Sequence, residues 1–167
     1  VVKTLDDDNR NTTAEANARK LVDDGVFLLF GSVEGGPSTA VMKVAGERRV
    51  PFFGPMAGPP ALRRPYQEWV FPVRAEHRDE FRALMEWGKS LGLKTVGFFH
   101  VEGANGKEHL QNVNLIAKEL GLQVVLSVPF KPDTSDTDLE RFVGLIRDAK
   151  PDLFFNHGSA ALYERLV

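Results

Sequence analysis

The sequence predicts an α/β fold with doubly wound, mostly parallel sheets. Strand and helix signals alternate along the 167 residues, and they recur at roughly 22–29 residues, a spacing typical of successive β–α units. Residues 26–30 and 50–53 are apolar runs without polar alternation, as in parallel strands that are covered on both faces. We therefore expect the phenylalanines on these strands to belong to the core.

The first half of the chain alternates short apolar runs with amphipathic helices. Residues 1–5 are predicted as a strand that ends in three aspartates, and Thr12 with Glu15 gives the next helix a capping box. Gly25 ends that helix, because glycine adopts a positive φ at little cost. The elements that follow are strand 26–30, helix 38–49, strand 50–53, a Pro/Gly-rich loop at 54–65 and strand 69–73.

The second half repeats this pattern with clearer boundaries. Two Leu-Gly-Leu sequences, centred on Gly92 and Gly121, each close a helix and open a strand. Thr137 and Glu140 form a second capping box. The predicted elements are helix 76–91, strand 95–99, a helix that ends at 120, strand 123–130, a helix that ends at 149, strand 153–155 and a helix that begins near Ala160.

Composition excludes several classes of protein. A net charge of -2 argues against a nucleic-acid partner, since phosphate recognition usually needs a basic surface. The absence of cysteine excludes disulfides, thiolate metal sites and cysteine nucleophiles. The longest apolar runs have about five residues, far fewer than the roughly 20 that a membrane-spanning helix requires. The chain is therefore not expected to span a membrane.

Two glycine-rich turns form the candidate binding site. Residues 31–38 and 54–60 follow neighbouring predicted strands, and ligands of parallel sheets bind beyond the carboxyl ends of strands. The first turn lacks the nucleotide-binding glycine patterns, and Glu34 would repel a phosphate. It is either a plain strand–helix turn or a site for a neutral or zwitterionic ligand that takes backbone N–H groups and serine hydroxyls.

Other residue types give weaker chemical signals. The four histidines never occur at zinc-helix spacing, although His100 and His157 both follow predicted strands and could share one sheet edge. The aspartates at 6–8 could bind a divalent cation, but such runs are usually solvated strand ends. Ser32 and Ser38 lack a nucleophile elbow. We expect no catalytic residue, bound metal or cofactor.

Several short motifs occur in a fixed order over nearly all of the chain. They are DD, EANARKLVDDGV, FGS, VPFFGP, WVFPVRA, LGLKTVGFFH, GLQVV and DxDLxxFVxxIRxAKPD. The ordered set resembles the type I periplasmic solute-binding proteins, and most closely the branched-chain amino-acid (Leu/Ile/Val) receptor group of ABC importers. The resemblance implies two lobes that close on a small solute in a cleft, with residues 1–75 in the N-terminal lobe and 76–167 in the C-terminal lobe. It also implies a fragment, with further elements before Val1 and after Val167.

The resemblance implies a set of solute-binding residues. These are Ser32, Val33, Glu34 and Gly35 in a carboxylate-binding turn, Pro55 and Ala57 in a second loop, Asp79 at the lobe crossover and Asn105 at the position of a ligand-covering aromatic ring. Gly35 and Ala57 lack the usual hydroxyls, and each unmet hydrogen-bonding group would cost about 1–3 kcal/mol. A standard branched-chain amino acid is therefore doubtful, whereas a carboxylate or aromatic acid, an amide or a degenerate site are all open.

The function implied by this resemblance is non-enzymatic. It is that of a periplasmic protein that delivers an amino acid or similar small polar or carboxylate solute to an ABC permease in the inner membrane. Two alternatives stay open, a ligand-sensing domain of a regulator or receptor with the same fold, and an α/β enzyme of flavodoxin-like type. The enzyme would need an acid, base or nucleophile at the edge formed by Gly31 and Gly54, where the sequence offers only Glu34.

Overall fold

The computed structural model describes residues 1–131, 133–157 and 164–166, which divide into two units, Val1–His77 (unit 1) and Arg78–Val167 (unit 2). Both units pack helices against a parallel sheet, so the predicted α/β class is confirmed. No helix among these residues is long and apolar enough to cross a membrane. The start of the helix predicted near Ala160 lies outside the described residues.

Unit 1 is built on three short parallel strands in the order β1-β2-β3. The register places Leu29 beside Phe52 and Phe52 beside Val70, and the next residue of each strand is paired in the same way. The elements of unit 1 are α1 (Asn11–Asp23), β1 (Leu29–Phe30), α2 (Gly35–Arg48), β2 (Phe52–Phe53), a 3-10 turn (Pro60–Leu62) and β3 (Val70–Phe71).

The two faces of the unit 1 sheet differ in burial. Leu29, Phe52 and Val70 are buried with apolar residues of α1 and α2. Phe30, Phe53 and Phe71, here called the phenylalanine row, lie on the opposite face and are 76%, 46% and 47% exposed. The expectation that β1 and β2 are covered on both faces is therefore wrong, and Phe30 and Phe53 do not belong to the core, whereas Phe52 does. Successive side chains of a strand point to opposite faces, and only one face is packed here.

Two local expectations in unit 1 are also wrong. Residues 1–5 form no strand, since none of the described strands pairs with them. The helix α1 begins at Asn11, so Thr12 lies inside it and cannot act as the cap. Glu15 pairs instead with Arg19, at 2.9 Å between carboxylate and guanidinium.

Unit 2 has longer strands and a sheet that is covered on both faces. Its strands are parallel in the order β5-β4-β6, and Phe98 and Phe99 of the central strand are fully buried on opposite faces. Phe98 packs with residues of α3 and α4, and Phe99 packs with residues of α5. The elements are α3 (His77–Ser90), β4 (Thr95–Val101), α4 (Ala104–Leu120), β5 (Gln123–Phe130), α5 (Asp136–Ala149) and β6 (Leu153–His157).

The ends of two helices in unit 2 show how well local signals predict boundaries. Gly121 ends α4 in the left-handed conformation, at φ 73°, as its sequence predicts. The cap of α5 is Ser135, whose hydroxyl accepts a hydrogen bond from the Asp138 N–H at 3.1 Å. The capping box predicted at Thr137 and Glu140 is therefore wrong by two positions, because Ser135 is also a good cap and comes first.

Asp152 joins the turn before β6 to the start of β4. Its Oδ2 accepts hydrogen bonds from the backbone N–H groups of Lys94 and Thr95, at 2.9 and 3.0 Å. These bonds, led by the one from Lys94, hold the pKa of the Asp152 carboxyl below its ordinary value of 3.8. They favour the charged carboxylate, because an N–H group is a better partner for the anion than for the neutral acid.

We expect Asp152→Asn to reduce the stability of unit 2 near neutral pH and to reduce it less in acid. A carboxyl with a lowered folded-state pKa stabilises fully above its unfolded pKa, here 3.8, and this contribution is lost as the pH falls through the folded value. Urea unfolding of both proteins between about pH 6 and about pH 2.5 measures the difference. A difference that stays constant over this range would contradict the assignment.

Candidate functional site

The two glycine-rich turns lie side by side at the carboxyl edge of the unit 1 sheet. The Gly31 N–H donates to the Phe53 carbonyl at 3.1 Å and so continues the pairing of β1 with β2. One residue later the direction of donation reverses, and the Met56 N–H donates to the Ser32 carbonyl at 2.9 Å. The first turn (residues 31–34) and the second turn (residues 54–59) are thus hydrogen-bonded to each other.

The first turn is held in an unusual backbone conformation. Gly31 and Ser32 both have positive φ, at 81° and 87°. A serine in this region is strained by about 1–3 kcal/mol, and such strain is concentrated at binding and active sites. The Ser32 hydroxyl lies 2.9 Å from the hydroxyl of Ser38, which is fully buried, so this contact fixes the orientation of the Ser32 side chain.

The helix α2 begins directly after this turn, at Gly35 and not at residue 38 as predicted. Its N-cap residue is Glu34, which makes no side-chain capping hydrogen bond. An uncapped helix start leaves N–H groups for solvent or a ligand, and the helix dipole favours an anion there. Val33 and Glu34 are exposed. The first turn can therefore offer a hydroxyl and backbone donors to a carboxylate.

The structure gives a physical reason for the two missing hydroxyls. A Cβ at Gly35 would lie 2.9 Å from Cγ of Pro59, so a serine there would have to displace the proline ring. Ala57 is 2% exposed and belongs to the core of unit 1, and Pro55 is buried as well. Met56, between them, is exposed. Pro55 and Ala57 therefore hold the second turn in place from inside the core.

Arg63 supports the second turn and was not found from the sequence. Its guanidinium donates to the carbonyl oxygens of Pro59 and Ala57, at 3.2 and 3.3 Å, and to that of Arg74. Carbonyl groups of a proline-rich loop have few backbone partners, because proline has no N–H. An arginine a few residues after such a loop is the signal that could have indicated this role.

A cavity of about 340 Å³ opens beside the first turn within unit 1. Its lining includes Ser32, Val33 and Glu34 of the first turn, together with Asp6 and Asn17. This volume lies at the lower end of the range of about 300–1,000 Å³ for small-molecule sites. The space next to the predicted carboxylate-binding turn is therefore large enough for a solute of the size of an amino acid.

The two remaining predicted site residues lie in unit 2. Asp79 is in the first turn of α3, and Asn105 is the second residue of α4, next to the carboxyl end of β4. Both side chains are exposed. Their part in solute binding stays a prediction from the resemblance.

Solved structures of solute-binding proteins share this fold. An extracellular ligand-binding receptor from Rhodopseudomonas palustris HaA2 is 28% identical, with a TM-score of 0.74, and the match covers 96% of this chain and 46% of that one. An ABC transporter substrate-binding protein from Desulfitobacterium hafniense in complex with Leu is 16% identical, with a TM-score of 0.78 and coverage of 96% and 48%. An ABC transporter solute-binding protein from R. palustris in complex with benzoate is 22% identical, with a TM-score of 0.78 and coverage of 93% and 43%.

The chain spans less than half the length of each of these proteins. None of the curated proteins compared with it matches significantly. A family model described as periplasmic binding protein matches residues 1–162, which is nearly the whole chain. Together with the parallel α/β architecture of both units, this match establishes that the chain belongs to the periplasmic binding protein family.

Proposed function

We propose that this chain is part of the solute-binding component of an ABC importer, and that it binds a small solute with a carboxylate group without changing it chemically. Membership of the periplasmic binding protein family supports the transport role. Two structural neighbours carry Leu and benzoate, and a carboxylate is the group that these solutes share. An amino acid or an aromatic acid is therefore the class of solute that we favour.

The observation that carries the proposal is the hydrogen-bonded pair of turns at the edge of the unit 1 sheet. The Met56 N–H to Ser32 carbonyl bond fixes the first turn, and the Ser32–Ser38 contact orients its hydroxyl. The uncapped start of α2 follows at once. In the proposal one carboxylate oxygen accepts from the Ser32 hydroxyl, and the other accepts from N–H groups at the start of α2, beginning with Gly35.

The side chain of Glu34 gives the site its selectivity in this proposal. Its carboxylate is exposed at the rim of the cavity beside Ser32. A second negative charge on a solute would be repelled at short range, whereas an ammonium group would be attracted. Monocarboxylates and zwitterions therefore fit the site better than dicarboxylates or phosphates.

We also propose that the protein acts in the periplasm and passes its solute to an ABC permease in the inner membrane. The family to which the chain belongs supports this location. Transport proteins from D. hafniense and R. palustris with the same fold are consistent with a permease as partner.

The first test is a thermal-shift and calorimetry screen of matched acids and amides. Leucine with leucinamide, and benzoate with benzamide, differ chiefly in the carboxylate, so a carboxylate site should bind the acid of each pair more tightly. We expect Ser32→Ala to weaken binding of the acid by at least about tenfold, because a hydrogen bond to a charged group contributes about 1.5–3 kcal/mol after exchange with water is taken into account.

Ser90→Ala is the matched control, since Ser90 is an exposed serine at the end of α3. It should leave the affinity unchanged. Equal binding of acids and amides would overturn the choice of a carboxylate solute. An unchanged affinity in Ser32→Ala would show that the first turn does not take part in solute binding.

A further inference from the structure

Three histidines of unit 2 lie around the carboxyl ends of β4 and β6. As the sequence indicated, His100 and His157 share one sheet edge, and the register pairs them directly. The third, His109, lies near the start of α4, which begins just beyond the carboxyl end of β4 and packs against that strand. This group was not visible as a motif, because its members come from three separate elements.

Both ring nitrogens of His100 have hydrogen-bond partners within unit 2. Its Nδ1 lies 3.0 Å from the Val101 carbonyl, and its Nε2 lies 3.2 Å from the Ser127 hydroxyl. The carbonyl can only accept, so Nδ1 carries the proton, and Nε2 then accepts from the serine. Neither ring nitrogen of His100 has a lone pair left for a further ligand.

His109 and His157 form a close pair of imidazoles. Their ring centroids are 4.3 Å apart with an angle of 54° between the planes, and ligand nitrogens of the two rings lie within 4.8 Å of each other. Two nitrogens bound to one ion, at about 2.0–2.1 Å each, lie about 3–4 Å apart. The spacing of the two nitrogens is therefore close to the spacing that one bound ion requires.

The surroundings of the pair restrict the movement of both rings. Phe81 of α3 lies with its ring centroid 5.8 Å from that of His109 and 5.8 Å from that of His157, at steep angles to both. Phe98 of β4 lies 6.5 Å from His157. His109 is only 9% exposed. A pair held in this way loses little side-chain entropy when it binds an ion, which is the usual benefit of a preorganised site.

We propose that His109 and His157 are two of the ligands of one divalent first-row transition-metal ion. Imidazole suits Zn²⁺, Ni²⁺ and Cu²⁺, and the absence of acidic oxygen ligands in the pair disfavours Mg²⁺ and Ca²⁺. A bound ion would join α4 to the end of β6 and so stabilise unit 2. Neither histidine belongs to the two turns of unit 1 on which the proposed function rests.

The test uses the full chain without a polyhistidine tag. Calorimetry with Zn²⁺ and Ni²⁺ should show saturable binding of one ion per chain. The visible spectrum of added Co²⁺ should change from that of the hydrated ion to that of an ion with nitrogen ligands. Saturating Zn²⁺ should also raise the unfolding temperature, since a ligand of the folded state stabilises it.

His109→Gln and His157→Gln should each weaken binding at least tenfold, since even supporting partners of a metal site account for about tenfold to 100-fold in affinity. His100→Gln is the matched control, because both nitrogens of His100 are already occupied, and its affinity should stay within about twofold. Circular dichroism shows whether each variant folds. If a variant does not fold, the Co²⁺ spectrum of the unmodified chain still tests the proposal. An unchanged affinity in both variants, a Co²⁺ spectrum of the hydrated ion only, or no saturable binding would each overturn the proposal.

Discussion

Gly106→Ala is expected to destabilise unit 2 by more than about 4 kcal/mol, an effect that few single substitutions reach. A Cβ at position 106 would lie 1.6 Å from the Val101 carbonyl oxygen and 2.9 Å from Nδ1 of His100. The first contact is with backbone at the end of β4, so no side-chain rotation relieves it. The first turn of α4 would have to move away from the sheet. Urea unfolding followed by Trp87 fluorescence in a Trp69→Phe background measures this loss in unit 2.

Gly144→Ala is the matched control in the same unit. Gly144 lies inside α5, and a Cβ there would meet no atom within 4 Å. Alanine is a better helix former than glycine, so this variant should gain about 0.5–1 kcal/mol. The same change of one methyl group is thus expected to have opposite signs at the two positions. A loss at Gly106 of less than about 1 kcal/mol would show that α4 does not approach β4 so closely.

Arg64→Ala is expected to cost unit 1 about 3 kcal/mol. The guanidinium of Arg64 pairs with the carboxylate of Glu76, whose side chain is 7% exposed. Removal of one partner leaves a buried charge uncompensated, which typically costs 3–5 kcal/mol. The value should lie at the lower end, because half of the Arg64 side chain is in contact with water. Trp69 fluorescence in a Trp87→Phe background reports on unit 1 during urea unfolding.

A second substitution tests the cause of this loss. Glu76→Gln in the Arg64→Ala background removes the buried charge and should restore most of the stability. Arg48→Ala, which breaks the exposed pair with Asp23, is the control and should cost less than about 1 kcal/mol. If Arg64→Ala costs no more than this control, the ion pair with Arg64 is not needed to keep the Glu76 carboxylate buried.

The sequence predicts the type and order of elements better than it predicts their ends. Apolar runs and helical stripes identify the parallel strands and helices because burial depends on a periodic pattern that several residues share. Caps depend on single side chains, and Ser135 caps α5 two residues before the predicted Thr137. The strand predicted at 1–5 fails for another reason. A strand needs a partner for its backbone, and the local sequence does not contain that information.

Some features of the candidate site can likewise be predicted from the sequence, and others cannot. The meeting of the two turns follows from parallel strand order alone, and the Ser32 carbonyl to Met56 N–H bond agrees with it. The burial of Ala57, the support from Arg63 and the contact of His109 with His157 all depend on tertiary packing. Periodicity within one segment carries no signal for a contact between segments that are far apart in the chain. These features therefore become visible only in three dimensions.

The phenylalanine row has a consequence for the stability of the unit 1 sheet. Each of its strands has only two residues, so few ladder hydrogen bonds hold this sheet together. Three aromatic rings on one face remain in contact with water and contribute little of the burial that would otherwise favour the folded form. Local fluctuations of a protein begin where apolar contacts are few and backbone hydrogen bonds are accessible to solvent. In this sheet, therefore, stability comes mainly from the face that packs against α1 and α2, and the face with the phenylalanine row adds little to it.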